Sequence, residues 1–351
     1  MTAKTYTVHD LASFSVVIDA RSPAEHALDG IPGSINCPVL NDEERRIVGT
    51  TYVQVSAFEA RKIGGAMVAR NIARHLNERF NGFDAKWRPL VYCWRGGMRS
   101  GSLVNVLRLV GWDAQQLKGG YKAWRHHVVD QTPMLVDTMD WRVLCGSTGS
   151  AKTRALQRLN EIGQQVVDLE ALAVHRGSVL GDVPGQPQPS QKAFETQLFD
   201  VLSRLDPSKP VWVEAESRRI GRLTVPESMT AAIHRSPRVE IVAPVHTRVE
   251  FLLRDYAWLV ESPDALVARL AALKGLVPNA ELAEWQAWAT SGQLPLLLSA
   301  LLTRHYDPLY ARSLGRSWTQ LGTLRQVQTD DLSPAGVDAL AERLVLGARG
   351  P

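Results

Sequence analysis

The stretch Trp141-Arg142-Val143-Leu144-Cys145-Gly146-Ser147-Thr148-Gly149-Ser150-Ala151-Lys152-Thr153 decides the fold of the second half of this 351-residue chain. Residues 141–145 are suited to a strand, and residues 154–162 follow as a helix. A strand, a glycine-rich loop that ends in Lys-Thr and a helix are the parts of a P-loop, whose backbone N–H groups bind phosphate oxygens. The stretch therefore predicts an α/β domain with a phosphate site at the end of this strand.

Each part of the predicted phosphate loop has an expected task. Lys152 would neutralise phosphate oxygens, the N–H groups from Ser147 to Thr153 would surround them, and the Thr153 hydroxyl could ligate Mg²⁺ if one is present. Ala151 stands where a P-loop normally has glycine. Because alanine disfavours a positive φ, we expect this residue to be right-handed. The predicted phosphate-binding set is Gly146, Ser147, Thr148, Gly149, Ser150, Ala151, Lys152 and Thr153.

A second loop, Cys93-Trp94-Arg95-Gly96-Gly97-Met98-Arg99-Ser100, follows the apolar strand Pro89–Cys93. Loop N–H groups, the start of the next helix and two guanidinium groups all favour a nucleophilic thiolate. The Cys-x5-Arg spacing also suits an oxyanion the size of phosphate, because the closing arginine can fork onto two oxygens. We therefore predict Cys93 as a nucleophile and Arg95 and Arg99 as its anion-binding partners, rather than Cys93 as a buried core thiol.

Strands alternate with helices along most of the chain, which predicts parallel sheets. An N-terminal α/β domain is expected over residues 1–128, a linker over 129–140, where the pattern weakens around Pro133, and the P-loop domain over 141–351. Leu, Ala and Trp at helical spacing predict an appended helical segment over about 247–305. Trp258, Trp285 and Trp288 lie in it and are expected in its core rather than against nucleic-acid bases.

Composition excludes several classes of protein. Three widely spaced cysteines make neither a disulfide framework nor a metal site, and they fit a reducing, cytoplasmic setting. We expect no membrane span, because no stretch approaches about 18 uncharged apolar residues. The net charge of +4 is compatible with a polyanionic partner without proving one.

Further polar groups are candidates for accessory roles. Asp168 follows a predicted strand, as do Glu216, Ser217 and Arg218 after Glu214, and such strand ends lie near the phosphates in P-loop folds. A histidine stands beside charge in His175-Arg176 and in His305-Tyr306-Asp307, and each could equally be structural. Cys37 is expected to be structural, and Cys145 too, although nearby N–H groups could mildly lower the pKa of Cys145. The accessory residues predicted are Asp168, His175, Arg176, Glu216, Ser217 and Arg218.

The first domain resembles a rhodanese module. The resemblance lies in Asp19-Ala20-Arg21-Ser22-Pro23-Ala24-Glu25, Ile31-Pro32-Gly33-Ser34-Ile35-Asn36, the Cys93 loop and Leu117-Lys118-Gly119-Gly120-Tyr121. Together with a P-loop domain that carries Asp168-Leu169-Glu170, Gln188-Pro189-Ser190-Gln191, Glu216-Ser217-Arg218-Arg219 and His305-Tyr306-Asp307-Pro308, the chain resembles the tRNA 2-selenouridine synthases over roughly residues 8–315.

This resemblance implies two reactions on the wobble 2-thiouridine of tRNA. The sulfur first attacks geranyl diphosphate to give S-geranyl-2-thiouridine, and selenium from selenophosphate then replaces the geranylated sulfur. The P-loop would hold the diphosphate, and Cys93 would carry selenium as an S-selanylcysteine intermediate. The resemblance also implies that tRNA is a partner and that DNA and membranes are not. An enzyme that supplies selenophosphate is a possible second partner. No tightly bound cofactor is expected, Mg²⁺ is possible, and no residue is assigned as a dedicated metal ligand.

Three other functions remain open at this point. Cys-x5-Arg is also the spacing of cysteine phosphatases, some of which share the rhodanese fold; a sulfurtransferase fused to a nucleotide-binding domain belongs to the same alternative. A P-loop kinase or NTPase with a sensory rhodanese module is the second, although Ala151 argues against it. An RNA-binding adaptor is the third, and such a protein would need no thiol at Cys93.

Overall fold

The computed structural model describes residues 5–176, 181, 183, 185–255, 263–317 and 324–347. The chain divides into two compact units. The first comprises Met1–Thr132 and Pro189–Asp200, and the second comprises Pro133–Gln188 and Val201–Pro351.

The first unit is built on a parallel sheet of four strands in the order β2-β1-β3-β4. Its core lies between this sheet and helices α3 and α4, and it includes Ile18, Val91 and Leu103. The strands and helices are β1 Val16–Asp19, α1 Pro23–Leu28, β2 Ile35–Asn36, α2 Asp42–Gln54, α3 Ala57–His75, β3 Pro89–Tyr92, α4 Met98–Val110, β4 Gln115–Gln116 and α5 Gly120–Thr138, with a 3-10 helix at Val8–Ser13 and a π-helix at Leu76–Phe80.

The second unit has a parallel sheet of five strands, in the order β11 (Leu324–Gln328), β10 (Arg238–Val242), β5 (Asp140–Gly146), β7 (Pro210–Glu214) and β6 (Gln165–Val167). The elements that follow along the chain, up to the helical segment, are β5 Asp140–Gly146, α6 Lys152–Glu161, β6 Gln165–Val167, α7 Leu169–Ala173, α8 Gln191–Leu202, β7 Pro210–Glu214, the antiparallel pair β8 Arg219–Ile220 and β9 Leu223–Thr224, α9 Glu227–Arg235 and β10 Arg238–Val242. Helix α8 belongs to the first unit up to Asp200.

Several helices form the segment appended to this sheet. They are α10 Val245–Asp255, α11 Pro263–Leu270, α12 Asn279–Thr290, α13 Leu294–Ala300 and α14 Asp307–Ser317, with a 3-10 helix at Ala271–Leu273 and a π-helix at Leu301–Tyr306; β11 Leu324–Gln328 and α15 Pro334–Leu346 follow. Trp285 is buried in the core of the segment and Trp288 packs against it, as predicted. Trp258 lies outside the described residues.

The α/β class with two parallel sheets is confirmed. The interval 129–140, predicted as a linker, is helical up to Thr138, because α5 continues through Pro133. Proline is tolerated there at the cost of one helical hydrogen bond. Within the described residues, no helix is long and apolar enough to cross a membrane.

Candidate active sites

The Cys93 loop begins where the buried strand β3 ends, and Cys93 itself is buried. Its sulfur accepts hydrogen bonds from the Gly97 backbone N–H at 3.3 Å and from the Ser100 hydroxyl at 3.0 Å. The Gln116 side-chain amide donates to that hydroxyl at 2.7 Å. Hydrogen bonds to a sulfur stabilise negative charge on it, so this arrangement suits a thiolate nucleophile.

Close backbone packing fixes the path of the loop. The Cys93 carbonyl accepts from the Tyr121 N–H at 2.8 Å, and the Trp94 carbonyl accepts from the Lys122 N–H at 3.0 Å. A Cβ on Gly120, whose φ is +58°, would lie 2.2 Å from the Cys93 carbonyl oxygen. Only glycine therefore allows this approach between the loop and the start of α5.

The two arginines of the loop differ in their surroundings. Arg99 pairs with Glu25, with Nη1–Oε2 at 2.5 Å and Nη2–Oε1 at 3.3 Å. Burial would raise the pKa of Glu25, but the hydrogen bond and charge of Arg99 outweigh it and hold the pKa below its usual value. Arg95 is exposed. An open cavity of about 470 Å³ is lined by Cys93, Trp94, Arg95, Gly97, Met98 and Arg99.

At the end of β1, a buried ion pair joins Asp19 and Arg21, with Nη2–Oδ2 at 2.6 Å. The Tyr92 hydroxyl also donates to Asp19 at 2.9 Å. Burial raises the pKa of Tyr92 well above its usual value, so this hydroxyl keeps its proton. These contacts tie the ends of β1 and β3 together directly before Cys93.

The P-loop lies at the end of β5, and its backbone departs from our expectation at one residue. Ala151 has φ +59° and ψ +26°, which is left-handed, so the predicted right-handed conformation is wrong. A non-glycine residue pays roughly 1 kcal/mol for this conformation. Lys152 Nζ donates to the carbonyls of Gly146 at 2.8 Å and Ser147 at 3.4 Å. Lys152 thus lies along the loop in which it was predicted to neutralise phosphate oxygens.

A buried arginine in the helical segment contacts the P-loop, and no motif in the sequence marks it. Arg248 donates to the Thr148 carbonyl at 3.1 Å and pairs with both carboxylate oxygens of Asp307 at 2.8 and 2.7 Å. Leu252 packs close to Gly149, where a Cβ would lie 3.1 Å from its side chain. Asp307 belongs to the His305-Tyr306-Asp307 motif, whose histidine is buried and has its pKa lowered by burial.

Three glutamates meet beside the P-loop. Carboxylate oxygens of Glu170, Glu214 and Glu216 all lie within 4.8 Å of one another. The Thr153 hydroxyl donates to Glu170 at 3.2 Å. Burial, followed by repulsion from a neighbouring glutamate, raises the pKa of each to about 8, although Lys152 opposes the shift. Both carboxylate oxygens of Glu214 are buried and accept no hydrogen bond from the described residues.

This glutamate cluster was only partly foreseen. Glu216 was predicted as an accessory residue, and Glu214 and Asp168 mark strand ends that were expected near the phosphates. Glu170 stands in the Asp168-Leu169-Glu170 motif of the family resemblance but is not among the predicted site residues. Asp168 instead caps α7 by accepting from the Ala171 N–H at 2.8 Å, and burial raises its pKa. Ser217 and Arg218 are exposed.

The remaining candidates support the loops around this cluster. His175 is buried and lies against Gly221, and Arg176 pairs with Asp255 at 3.2 Å. The Gln188 side-chain amide donates to the carbonyls of Ala173 at 3.1 Å and Ile220 at 3.0 Å. Gln188 therefore joins the segment before His175 to the one after Arg219.

The other two cysteines are buried and free, as is Cys93. Burial raises the pKa of the Cys145 thiol to about 12. The mildly lowered pKa suggested for Cys145 is therefore wrong, because burial outweighs the neighbouring positive charges. Burial likewise raises the pKa of Cys37, even though Arg79 opposes it.

Two family descriptions match successive parts of the chain. The rhodanese-like domain matches residues 7–127, and the tRNA 2-selenouridine synthase AAA domain matches residues 139–274. The chain is 33% identical over 329 residues to a tRNA 2-selenouridine synthase of Alcanivorax borkumensis, covering 86% of this chain and 90% of that protein.

A second relative and one solved structure complete the comparison. The chain is 37% identical over 244 residues to a tRNA 2-selenouridine synthase of Nitrosomonas europaea, covering 68% of this chain and 63% of that relative. Among solved structures, the N-terminal domain of a putative ATP/GTP binding protein from Clostridium difficile is 33% identical with a TM-score of 0.32, covering 36% of this chain and 98% of that one.

Proposed function

Because this chain belongs to the tRNA 2-selenouridine synthase family, we propose that its two anion sites perform two successive steps on one tRNA uridine. The enzyme converts 2-thiouridine to 2-selenouridine, and selenophosphate supplies the selenium. The observation that carries the proposal is the division of chemistry between the units. One loop has a hydrogen-bonded thiol, whereas the other has a lysine and a backbone cradle.

The first proposed step is geranylation beside the P-loop. The 2-thiouridine sulfur attacks the first carbon of geranyl diphosphate, the C–O bond breaks, and its electron pair leaves with diphosphate. Lys152 and the N–H groups from Ser147 to Thr153 would stabilise the charge on the leaving group. A site that binds an anion without hydrolysing a nucleotide tolerates the methyl group of Ala151 more readily than an ATPase would.

The glutamate cluster fits a divalent cation in this step. Carboxylates and a hydroxyl are the ligands that Mg²⁺ prefers, and Glu214 is buried without a hydrogen-bond partner among the described residues. Glu170, Glu214, Glu216 and Thr153 would hold the ion, which would add positive charge beside the diphosphate. Because each of these glutamates has a raised pKa, they would release protons as the ion binds.

The second proposed step is selenium transfer at Cys93. Water takes up the phosphoryl group of selenophosphate as the Se–P bond breaks, and Arg95 and Arg99 hold the phosphate that leaves. The selenide set free bonds to the Cys93 sulfur while a cellular disulfide is reduced to two thiols. The terminal selenium then attacks C2 of the base, the C2–S bond breaks, and geranylthiol leaves. Two cellular thiols become a disulfide as the Se–S bond breaks, which leaves selenium on C2 and returns Cys93 as a thiol. An S–Se bond is two electrons more oxidised than a thiol and a selenide. A cellular thiol–disulfide couple therefore takes up these electrons on loading and returns them on transfer.

Separation of the two steps tests the proposal. Cys93→Ser should abolish selenation but leave geranylation of thiolated tRNA largely intact, whereas Lys152→Ala should abolish geranylation yet still selenate tRNA that is already geranylated. Mass spectrometry of the tRNA nucleosides measures both products. Cys37→Ser and Lys209→Ala are matched controls, since Cys37 is another buried free thiol and Lys209 an exposed lysine. Equal loss of both activities in each site variant, or rapid phosphate-ester hydrolysis without tRNA, would contradict this division.

A further inference from the structure

Two apolar side chains border the Cys93 cavity without having a task in anion binding. Trp94 is 38% exposed and Met98 is 68% exposed, and both line the cavity next to the sulfur. A loop that binds only selenophosphate needs N–H groups and cations, which Gly97, Arg95 and Arg99 provide. Single exposed apolar residues are common, but here two of them flank a nucleophile.

The Trp94 ring is held in place although it is exposed. Its centre lies 5.3 Å from that of Tyr121 with the planes 33° apart, and Lys192 Nζ lies 5.8 Å from the ring centroid. The neighbouring backbone is fixed by the hydrogen bond from Lys122 to the Trp94 carbonyl. Met98 starts α4 and has an unbranched, polarisable side chain that adapts to irregular apolar surfaces. A fixed ring and an adaptable thioether together suit a flexible hydrocarbon.

We propose that Trp94 and Met98 bind the geranyl chain of the S-geranyl-2-thiouridine substrate while selenium replaces its sulfur at Cys93. This inference rests on the two-step function proposed above. The occupant follows from the chemistry: the group that leaves C2 is an apolar ten-carbon thiol, and it must lie close to the atom that delivers selenium. Contact with the chain favours geranylated over unmodified 2-thiouridine. The chain leaves with its sulfur as geranylthiol once the C2–S bond has broken.

A series of leaving groups tests this contact. Anticodon stem-loops with S-methyl, S-dimethylallyl or S-geranyl 2-thiouridine are given to the full-length enzyme with selenophosphate, and kcat/KM for 2-selenouridine is measured by mass spectrometry. For the wild type we expect kcat/KM to rise with chain length. In Trp94→Ala and in Met98→Ala the ratio of geranyl to methyl kcat/KM should fall roughly tenfold, equivalent to about 1.4 kcal/mol of lost chain binding.

Matched variants control for general effects of removing an exposed apolar group. Phe83 is 42% exposed and Met134 is 61% exposed, and neither lines the cavity, so Phe83→Ala and Met134→Ala should leave the ratio unchanged. A loss that is uniform across chain lengths would overturn the inference, because it would mean that Trp94 stacks on the base or only supports the loop. If Trp94→Ala does not fold, Met98→Ala decides alone. Absence of selenation on every alkylated substrate by the wild type would instead refute the two-step function.

Discussion

The buried glutamate cluster makes a quantitative prediction about the pH dependence of stability. Burial and repulsion from Glu170 raise the pKa of Glu214 from its usual 4.5 to about 8, so between these values the folded protein keeps a proton that the unfolded chain loses. The contribution of such a group to stability is complete below the unfolded pKa. It is lost as pH rises towards the folded pKa, by about 1.4 kcal/mol per pH unit for one proton.

The substitution Glu214→Gln removes this ionisation while it keeps the size of the side chain. The variant should therefore gain stability relative to wild type as pH rises, from about 1 kcal/mol at pH 5 to on the order of 4 kcal/mol at pH 8. The neighbouring Glu170 and Glu216 should also lose part of the repulsion that raises their pKa values. Subtracting the free energy of unfolding of wild type from that of the variant at each pH removes the contribution of the other titrating groups and leaves that of the glutamate cluster.

Urea unfolding of the full chain in chelator at pH 5, 6, 7 and 8 measures this difference. Hydrogen exchange of the β7 amides assigns the relevant transition to the second unit. Glu342→Gln, in an exposed position within α15, is the control and should leave the wild-type pH dependence unchanged. If the free energies of wild type and Glu214→Gln run parallel from pH 5 to pH 8, Glu214 is not protonated in the folded protein and our reasoning fails.

Two further substitutions test the loops themselves. Ser100→Ala removes one hydrogen bond to the Cys93 sulfur. Single-turnover selenation should slow by roughly ten- to a hundredfold, which corresponds to the roughly 1.5–3 kcal/mol of a hydrogen bond to a charged group, and the free energy of unfolding should change little. An unchanged rate would show that the thiol does not need this donor. Arg248→Met leaves Asp307 without its partner and should lower the free energy of unfolding of the second unit, measured in urea, by about 3 kcal/mol. The double variant Arg248→Met/Asp307→Asn should recover part of this stability. If it recovers none, the ion-pair explanation is contradicted.

Much of the fold could be predicted because the signals were local. The apolar periodicity after the Cys93 loop and the glycine at position 111 predict a helix that ends there, and α4, Met98–Val110, does end at the left-handed Gly111. The predicted strand 141–145 is β5 and leads directly into the P-loop. In both places, hydrophobic periodicity and glycine positions are properties of neighbouring residues, so the sequence alone contains them.

Contacts between distant residues could not be predicted in this way. Arg99 pairs with Glu25, which lies 74 positions earlier in the chain, and nothing in the loop sequence indicates this contact. Helix α8 follows the P-loop in sequence, yet its Thr196 donates to Asp29 at 3.2 Å within the first unit, where Glu195 also pairs with Arg125. The left-handed Ala151 is a third case, since propensity argues against a conformation that the surrounding loop imposes.

In the proposed function, the pair Arg248–Asp307 lets the helical segment support the P-loop without contributing a catalytic group. A P-loop binds anions through N–H groups that must point inwards, so its carbonyls point away and need donors of their own. Arg248 supplies one of these donors to Thr148, and Asp307 holds Arg248 in place from the start of α14. Asp307, in the motif around His305, is therefore a positioning residue, because it holds Arg248 against the P-loop. The two partners are far apart in sequence but meet in the fold. Arg248 lies in α10 and Asp307 at the start of α14, and both contact the loop region at Thr148 or through each other.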